Sequence, residues 1–290
     1  RIKMISKYQK IVEDAFKKED RVCSYEVDGN KVYVKKREKQ KKVRHIFQEV
    51  LQKITREPML IPSVLSASEN EILFESGKIK ELEKQGVSVP HILEVTENYF
   101  IMSDTGESLK NYVNDQIEKQ KINDKHKQDV FKEGYVQRAL DTLIKLHSTE
   151  NAQGGCQIRN FTIKNEVISL IDFEESIPKK HMKTFQKRDF LLLVLSLQRS
   201  GFNPDLKKLS DYYMANTEYK TLYSELREFL LKFKWLYFLE WKIFKKIRMK
   251  ESIGRAERLK EDVNQYVNPR NNHHVLIYKD EQGNLKEDVV

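Results

Sequence analysis

Residues 160–172 read Asn160-Phe-Thr-Ile-Lys-Asn-Glu-Val-Ile-Ser-Leu-Ile-Asp172, two β-rich runs with turn-forming residues at Lys164-Asn165 near the midpoint. Strands that pair about such a turn form a hairpin in which opposite Cβ atoms are about 5 Å apart. We therefore expect Asn160 and Asp172 to lie roughly opposite each other at its open end. An amide oxygen and a carboxylate at that spacing can share one hard cation such as Mg²⁺. The alternative is a surface hairpin with polar ends.

The chain before this hairpin carries the remaining strand signals. A helix is predicted over residues 4–18. Two strands, Arg21–Val27 and Lys31–Lys36, follow it on either side of Asp28-Gly29-Asn30. Asp-Gly between two such runs predicts a second hairpin. A further helix is predicted from Ser68, because Ser68-x-x-Glu71 has the form of a capping box.

Two more strands are predicted at His91–Thr96 and Tyr99–Met102, and after Gly106 the pattern is helical almost to the end. Residues 268–290 read as a loosely held tail or an edge hairpin. A strand-containing first third joined to a helical remainder predicts an α+β fold in two lobes.

A carboxylate interrupts the apolar stripe of the helix that begins near Ser68. Ile72, Ile79 and Leu82 mark the stripe, and Glu75 falls on it. A buried carboxylate costs several kcal/mol unless a cation meets it. Lys35, at the end of the strand Val32-Tyr-Val-Lys35, is the partner we expect; the alternative is a single Glu at the edge of the stripe that reaches into water.

The composition restricts the partners and the compartment. The 53 Lys and Arg residues exceed the 44 Asp and Glu residues, so the net charge is +9 and anionic partners are favoured. The 2 cysteines are too few for a disulfide framework, and we expect Cys156 to be a small buried thiol rather than a nucleophile. No apolar run approaches the ~18 residues of a membrane span.

Residues 232–250 interleave Lys and Arg with Phe, Trp and Tyr. This mixture suits a helix on an anionic membrane surface, or nucleic acid as a less favoured partner. Taken by itself, the segment is most simply interpreted as a core helix with a solvated basic face.

Taken together, these segments resemble the protein-kinase-like fold, and most nearly the bacterial lipopolysaccharide-core sugar kinases. Val32–Lys35 resembles the lysine strand, Glu75 its pairing glutamate, Gln153–Asn160 the catalytic loop and Asp172-Phe-Glu174 the metal motif. Further matching segments are Tyr99–Gly106 for the hinge between lobes, Leu143–His147 for the helix before the loop, and Arg188-Asp189 for the brace beneath it. The resemblance spans roughly residues 20–200.

The resemblance implies a role for each matched residue. Lys35, held by Glu75, would contact the α and β phosphates of ATP, and Asn160 and Asp172 would bind Mg²⁺. Backbone groups from Met102 to Asp104 would receive adenine. Enzymes of this kind act mainly by positioning and by neutralising charge around the transferred phosphoryl group.

The sequence departs from the family pattern at three places. The catalytic-loop Asp, five residues before the Asn, is Gly155, and its usual His neighbour is Gln153. There is no Gly-rich phosphate loop, and Asp-Phe-Gly has become Asp-Phe-Glu. Glu174, Glu175 or Gln157 could take over the missing base, and a pseudokinase that binds nucleotide without transfer is also open.

We therefore expect a bilobal protein-kinase-like protein with an N-lobe at residues 1–105, a mainly helical C-lobe at 106–267 and a tail at 268–290. The expected function is ATP- and Mg²⁺-dependent phosphorylation of a sugar hydroxyl on a lipid-linked lipopolysaccharide core. The expected location is the cytoplasm, with peripheral association at the inner membrane. The alternatives are a regulatory or scaffold pseudokinase and a protein- or RNA-associated atypical kinase.

Overall fold

The computed structural model describes residues 7–37, 57–61 and 70–232, and the backbone of two short strands at 275–279 and 285–289. The chain divides into two compact units, Arg1–Lys220 and Thr221–Val290. Within the described residues the class is α+β, as predicted. The predicted lobe boundary near residue 105 falls inside the first unit and stays a prediction.

The first sheet is antiparallel and four-stranded, in the order β1-β2-β4-β3. Its elements and the helices that flank it are α1 (Gln9–Lys17), β1 (Val22–Val27), β2 (Asn30–Lys36), α2 (Glu71–Lys84), β3 (Ile92–Val95) and β4 (Tyr99–Ser103). Val27 pairs with Asn30, so the β1–β2 hairpin has a two-residue turn, in which Asp28 and Gly29 have φ of 53° and 72°. Positive φ at both positions is the geometry that an Asp-Gly turn favours.

Strand β2 is buried on both faces. Val32 and Val34 point to the side of α1, where they share a core cluster with Ala15. Lys36 lies on the same face, and its Nζ donates to the backbone oxygens of Ala15 and Lys18, each at 2.6 Å. The residue between Val34 and Lys36 therefore faces the other side of the sheet, toward the candidate site.

Helix α2 begins two residues later than the capping box predicted. Asn70 is the N-cap, and its Oδ1 accepts from the backbone N–H groups of Ile72 and Leu73. Glu71 does not act as a capping-box acid, because its carboxylate pairs with Arg21 at 3.5 Å. The proposed cap Ser68 itself lies outside the described residues. The prediction of the helix was confirmed and that of its start was wrong.

The second half of the first unit is mainly helical. Its elements are β5 (Glu107–Ser108), α3 (Leu109–Lys119), α4 (Lys125–Ser148), β6 (Phe161–Lys164), β7 (Val167–Leu170), α5 (Met182–Arg199) and α6 (Leu206–Ala215), with single 3-10 turns at Ile158–Asn160 and Lys179–His181. A further 3-10 turn, Pro58–Leu60, lies between β2 and α2. The three short strands form an antiparallel sheet in the order β5-β6-β7. Helix α5 supplies much of the core through buried aromatic and aliphatic side chains such as Phe185, Phe190 and Leu197.

The β6–β7 hairpin turns at Asn165 and Glu166, whose φ values are 49° and 60°. Lys164 pairs with Val167, so the turn is centred half a residue beyond Asn165. Asn160 consequently faces Ile171, whose N–H donates to its carbonyl at 3.0 Å, rather than Asp172. The hairpin was predicted correctly, and its register was wrong by one residue.

The second unit contains α7 (Leu222–Lys232) and an antiparallel hairpin of β8 (Val275–Lys279) and β9 (Leu285–Val289). Helix α7 buries Leu222, Leu226 and Leu230. The hairpin agrees with the edge hairpin expected in the tail. Of the basic aromatic segment at residues 232–250, all but Lys232 lies outside the described residues. Among the helices described, none combines the length and the apolar content needed to cross a bilayer.

Candidate functional site

Lys35 is the centre of a buried charge cluster. Its side chain is 6% exposed, and its Nζ lies 2.9 Å from Glu75 Oε1, 3.1 Å from Asp172 Oδ1 and 2.6 Å from Glu174 Oε1. Glu75 is 2% exposed, so the alternative of a glutamate reaching into water is wrong. The predicted contact between the strand lysine and the stripe glutamate is present.

The charges of this cluster determine one another. Burial on its own lowers the pKa of Lys35, but the carboxylates of Glu75, Asp172 and Glu174 outweigh burial and raise it. Burial raises the pKa of Glu75 to about 7, against the opposing effect of Lys35. For Asp172 burial acts in the same upward direction, but Lys35 reverses it and holds the pKa below its ordinary value. The three acids thus keep the Lys35 ammonium charged, and that ammonium in turn favours the ionised form of Asp172.

Asp172 reaches the cluster through an unusual backbone conformation. It lies two residues beyond Leu170, the end of β7, and has φ of 69°, a left-handed conformation that Asp adopts more readily than most residues. Such a residue costs about 1–3 kcal/mol and persists where its surroundings hold it. Its neighbour Phe173 is held by a hydrogen bond from its N–H to Glu75 Oε1 at 3.3 Å, so the helix glutamate holds both the lysine and this turn.

Asn160 and Gln157 lie in the segment that precedes β6. Asn160 is buried, and its Nδ2 donates to the carbonyl of Gly155 at 3.3 Å, which leaves its amide oxygen as an acceptor. The carbonyl of Gln157 accepts the N–H of Asn160 at 2.8 Å. Asn160 is therefore hydrogen-bonded to Gly155, the position at which the kinase-like sequence pattern has an aspartate.

The loop at residues 153–156 rests on a buried carboxylate. Asp189 has no exposed surface and accepts from the N–H groups of Gln153 at 2.6 Å, Gly154 at 2.9 Å and Cys156 at 3.4 Å. The side chain of Gln153 donates to the carbonyl of Asp172 at 2.8 Å. These bonds connect the loop to the backbone at Asp172, and Asp189 lies beneath the loop, as the sequence predicted.

Cys156 is fully buried beside this loop. Burial and the neighbouring Asp189 raise the pKa of its thiol well above the ordinary value. A thiol that stays protonated is a poor nucleophile. The prediction of a small buried thiol was confirmed.

Met102 and Asp104 lie at the end of β4, where the chain passes to the second sheet. Met102 is paired with both Tyr33 and Ile92 inside the first sheet. The N–H of Asp104 donates to the carbonyl of Lys31 at 3.2 Å. An adenine ring would have to use other backbone groups of this segment or displace that bond.

The Asp104 side chain turns toward β6. Its carboxylate accepts from Lys164 Nζ at 2.9 Å, and Lys164 overcomes the effect of burial to lower the pKa of Asp104. The prediction that Met102 to Asp104 receive adenine stays a prediction.

Sequence reasoning missed the contacts of two cations at the site. Arg21 immediately precedes β1 and pairs with Glu174 at 2.5 Å and with Glu71 at 3.5 Å. Arg188 Nη2 pairs with Glu175 at 3.1 Å and donates to the carbonyl of Gly154 at 2.6 Å. No periodicity marks these residues, because each meets its partner across a long sequence separation.

The carboxylates that contact Lys35 Nζ are also candidate ligands for a hard divalent cation. Glu75, Asp172 and Glu174 each offer a carboxylate oxygen, and these atoms lie within 4.8 Å of one another. Oxygen donors at such spacing are those that Mg²⁺ prefers. The predicted pair was Asn160 and Asp172, so Asp172 is the member common to the prediction and to this cluster.

Comparison with known proteins adds one distant relative. An uncharacterized protein of Haemophilus influenzae is 22% identical over 225 residues, which cover 77% of this chain and 81% of that protein. No family model matches the chain.

Proposed function

We propose that this chain is a bilobal, protein-kinase-like phosphotransferase that binds ATP with Mg²⁺ and phosphorylates a sugar hydroxyl of the lipopolysaccharide core. The observation that carries the proposal is the position of Lys35, a buried strand lysine bonded to Glu75 of α2 and to Asp172 after β7. A cation held in this way can bind anionic phosphate without losing its charge, because the acids raise its pKa.

The metal part of the proposal rests on Asp172, Glu174 and Asn160. Mg²⁺ bound there would neutralise charge on the transferred phosphoryl group. Asn160 is bonded to Gly155, and Gln153 to the carbonyl of Asp172, so the chain itself sets the relative positions of the metal motif and the loop. Gln157 remains a candidate catalytic residue through its place in this loop.

The acceptor and the location rest on the resemblance alone. A lipid-linked sugar acceptor would place the protein at the cytoplasmic face of the inner membrane, with residues 232–250 against anionic lipid. Liposome co-sedimentation that is lost on replacing Lys242, Lys245 and Lys246 by Gln supports this placement. Retained binding to RNA only would instead favour an RNA-associated kinase.

A specific observation favours a second candidate, the nucleotide-binding pseudokinase. Gly155 has no side chain where the family pattern carries its acid, and Glu174 bonds to Lys35 and Arg21, the cations that a nucleotide would need. Nucleotide binding with no phosphorylated product would support this candidate.

The test of the proposed function is a melting-temperature measurement with Mg·ATP. At about 100 times Kd a ligand stabilises by about 2.7 kcal/mol, which for a chain of this size raises Tm by roughly 5–10 °C. Asp172→Asn should abolish the rise. Glu166→Gln, which alters an exposed acid at the other end of the same hairpin, should leave it intact. An unchanged Tm in the wild type would refute nucleotide binding.

A further inference from the structure

The space that a side chain at position 155 would need is taken by another residue. A Cβ built on Gly155 would lie 3.2 Å from Glu175 Oε1 and 3.9 Å from its Cδ. At Gly154 the built Cβ would lie 2.5 Å from Glu175 Oε2. Two consecutive glycines therefore let the Glu175 carboxylate approach the loop backbone, in the place where an aspartate at 155 would put its own.

From this juxtaposition, and resting on the proposed function, we propose that Glu175 is the catalytic base, replacing the acid that the loop lacks. The acceptor oxygen forms a bond to the γ-phosphorus, and the bond from that phosphorus to the bridging oxygen of the leaving nucleoside diphosphate breaks. The acceptor's hydroxyl proton passes to a Glu175 carboxylate oxygen. At 34% exposure the side chain can then release the proton to water.

Two largely buried cations hold Glu175 in this place. Arg188 Nη2 binds its carboxylate at 3.1 Å and the carbonyl of Gly154 at 2.6 Å. Lys78 Nζ donates to the backbone carbonyl of Glu175 at 3.3 Å and to that of Ala152 at 3.0 Å. Side chain and backbone are thus each tied to the loop, which is the pre-organisation that proton transfer requires.

The contacts distinguish Glu175 from Glu174 and Gln157, the other two candidates for the catalytic base. Glu174 is bonded to Lys35 and Arg21, which makes it part of the phosphate and metal cluster. Gln157 carries an amide, which cannot accept a proton at neutral pH. Asn160 donates to the carbonyl of Gly155. The proposed metal ligand Asn160 and the Glu175 carboxylate therefore both lie beside Gly155.

The experiment removes the carboxylate at position 175 and introduces one at position 155. Phosphate release from Mg·ATP, with water as the acceptor, is measured for the wild type, Glu175→Gln, Glu175→Ala, and Glu175→Ala combined with Gly155→Asp or Gly155→Asn. Gln at 175 keeps an oxygen for Arg188 but cannot take the proton. Because Gly155 does not have positive φ, its backbone accepts the new side chain without strain.

We expect Glu175→Gln and Glu175→Ala to lower the rate roughly 100-fold or more while the Mg·ATP rise in Tm persists. Gly155→Asp should restore at least about tenfold in the Ala background, and the isosteric Gly155→Asn should restore none. A purely structural role for Glu175 predicts no such difference between Asp and Asn.

Three results would overturn the inference with nucleotide binding intact: a wild type that binds Mg·ATP but releases no phosphate, a Glu175→Gln variant with the wild-type rate, and equal rescue by Asp and Asn. If the proposed function itself is wrong, the wild-type Tm will not respond to Mg·ATP. That result also refutes the role of Glu175, but it differs from the three results above, in which nucleotide still binds.

Discussion

Replacing Lys35 by Met tests whether one ammonium holds the site together. Met is unbranched and fills nearly the same space without a charge. The change leaves Glu75, Asp172 and Glu174, whose carboxylate oxygens lie within 4.8 Å of one another, with no lysine between them. The fold, and not only ligand binding, should therefore suffer.

The expected magnitude follows from burial. Removing one partner of a buried ion pair costs about 3–5 kcal/mol, because an uncompensated charge stays behind. For a unit of this size that free energy corresponds to a fall in Tm of roughly 6–20 °C.

The loss should depend on pH. Burial already raises the pKa of Glu75 to about 7 with Lys35 present, and its pKa will be higher without that cation. A carboxyl whose folded pKa exceeds its unfolded value stabilises the folded state at low pH, and this stabilisation is lost as the pH rises through the folded pKa. The deficit of Lys35→Met should therefore be larger at about pH 8 than at about pH 5.5.

The adjacent lysine provides the matched control. Lys36 is 8% exposed, and the bonds described for its ammonium are to the backbone carbonyls of Ala15 and Lys18, which do not titrate. Lys36→Met should destabilise by a similar amount at both pH values. Urea unfolding of both variants measures the two differences. A pH-independent deficit for Lys35→Met, or the same pH dependence in both variants, would refute the reasoning.

Two further predictions concern the scaffold. Asp189→Ala should lower the free energy of unfolding by at least about 3 kcal/mol, because each buried N–H left unpaired costs about 1–3 kcal/mol; a loss below about 1 kcal/mol in urea unfolding would contradict the bracing role. Gly106→Ala should prevent folding or cost more than about 4 kcal/mol, since φ is 92° and the new Cβ would lie 1.9 Å from the carbonyl oxygen of Ile163. Gly134→Ala, with open space around its helical position, should instead stabilise by about 0.5–1 kcal/mol; circular dichroism melts compare the pair.

Elements whose signal is local could be predicted from the sequence. Asp28-Gly29 specifies its own turn. In α2 the spacing of the apolar residues shows which face of the helix is buried, and Glu75 lies on that face. The partner Lys35 followed from the cost of burying that acid. The α+β class followed from the same local patterns.

Other features depend on competition between neighbours and could not be predicted. Ser68 and Asn70 are both good caps, and the pairing of Glu71 with Arg21 across the fold decides between them. The hairpin register depended on whether Asn165 and Glu166 would both accept positive φ. The place of Glu175 beside Gly155 arises from a tertiary approach that leaves no trace in spacing.

Strand β2 carries a lysine on each face, Lys36 toward the α1 carbonyls and Lys35 toward the acids. A slip of one residue in one direction would set Val34 against the three carboxylates, which would then lose their ammonium. A slip in the other direction would bring Lys36 to the acids but would force Lys35 into the place of Val34, among the apolar side chains packed with Ala15. The charged face and the apolar face of β2 thus act together as an alignment key for the sheet, because each excludes the misregistration that the other would tolerate.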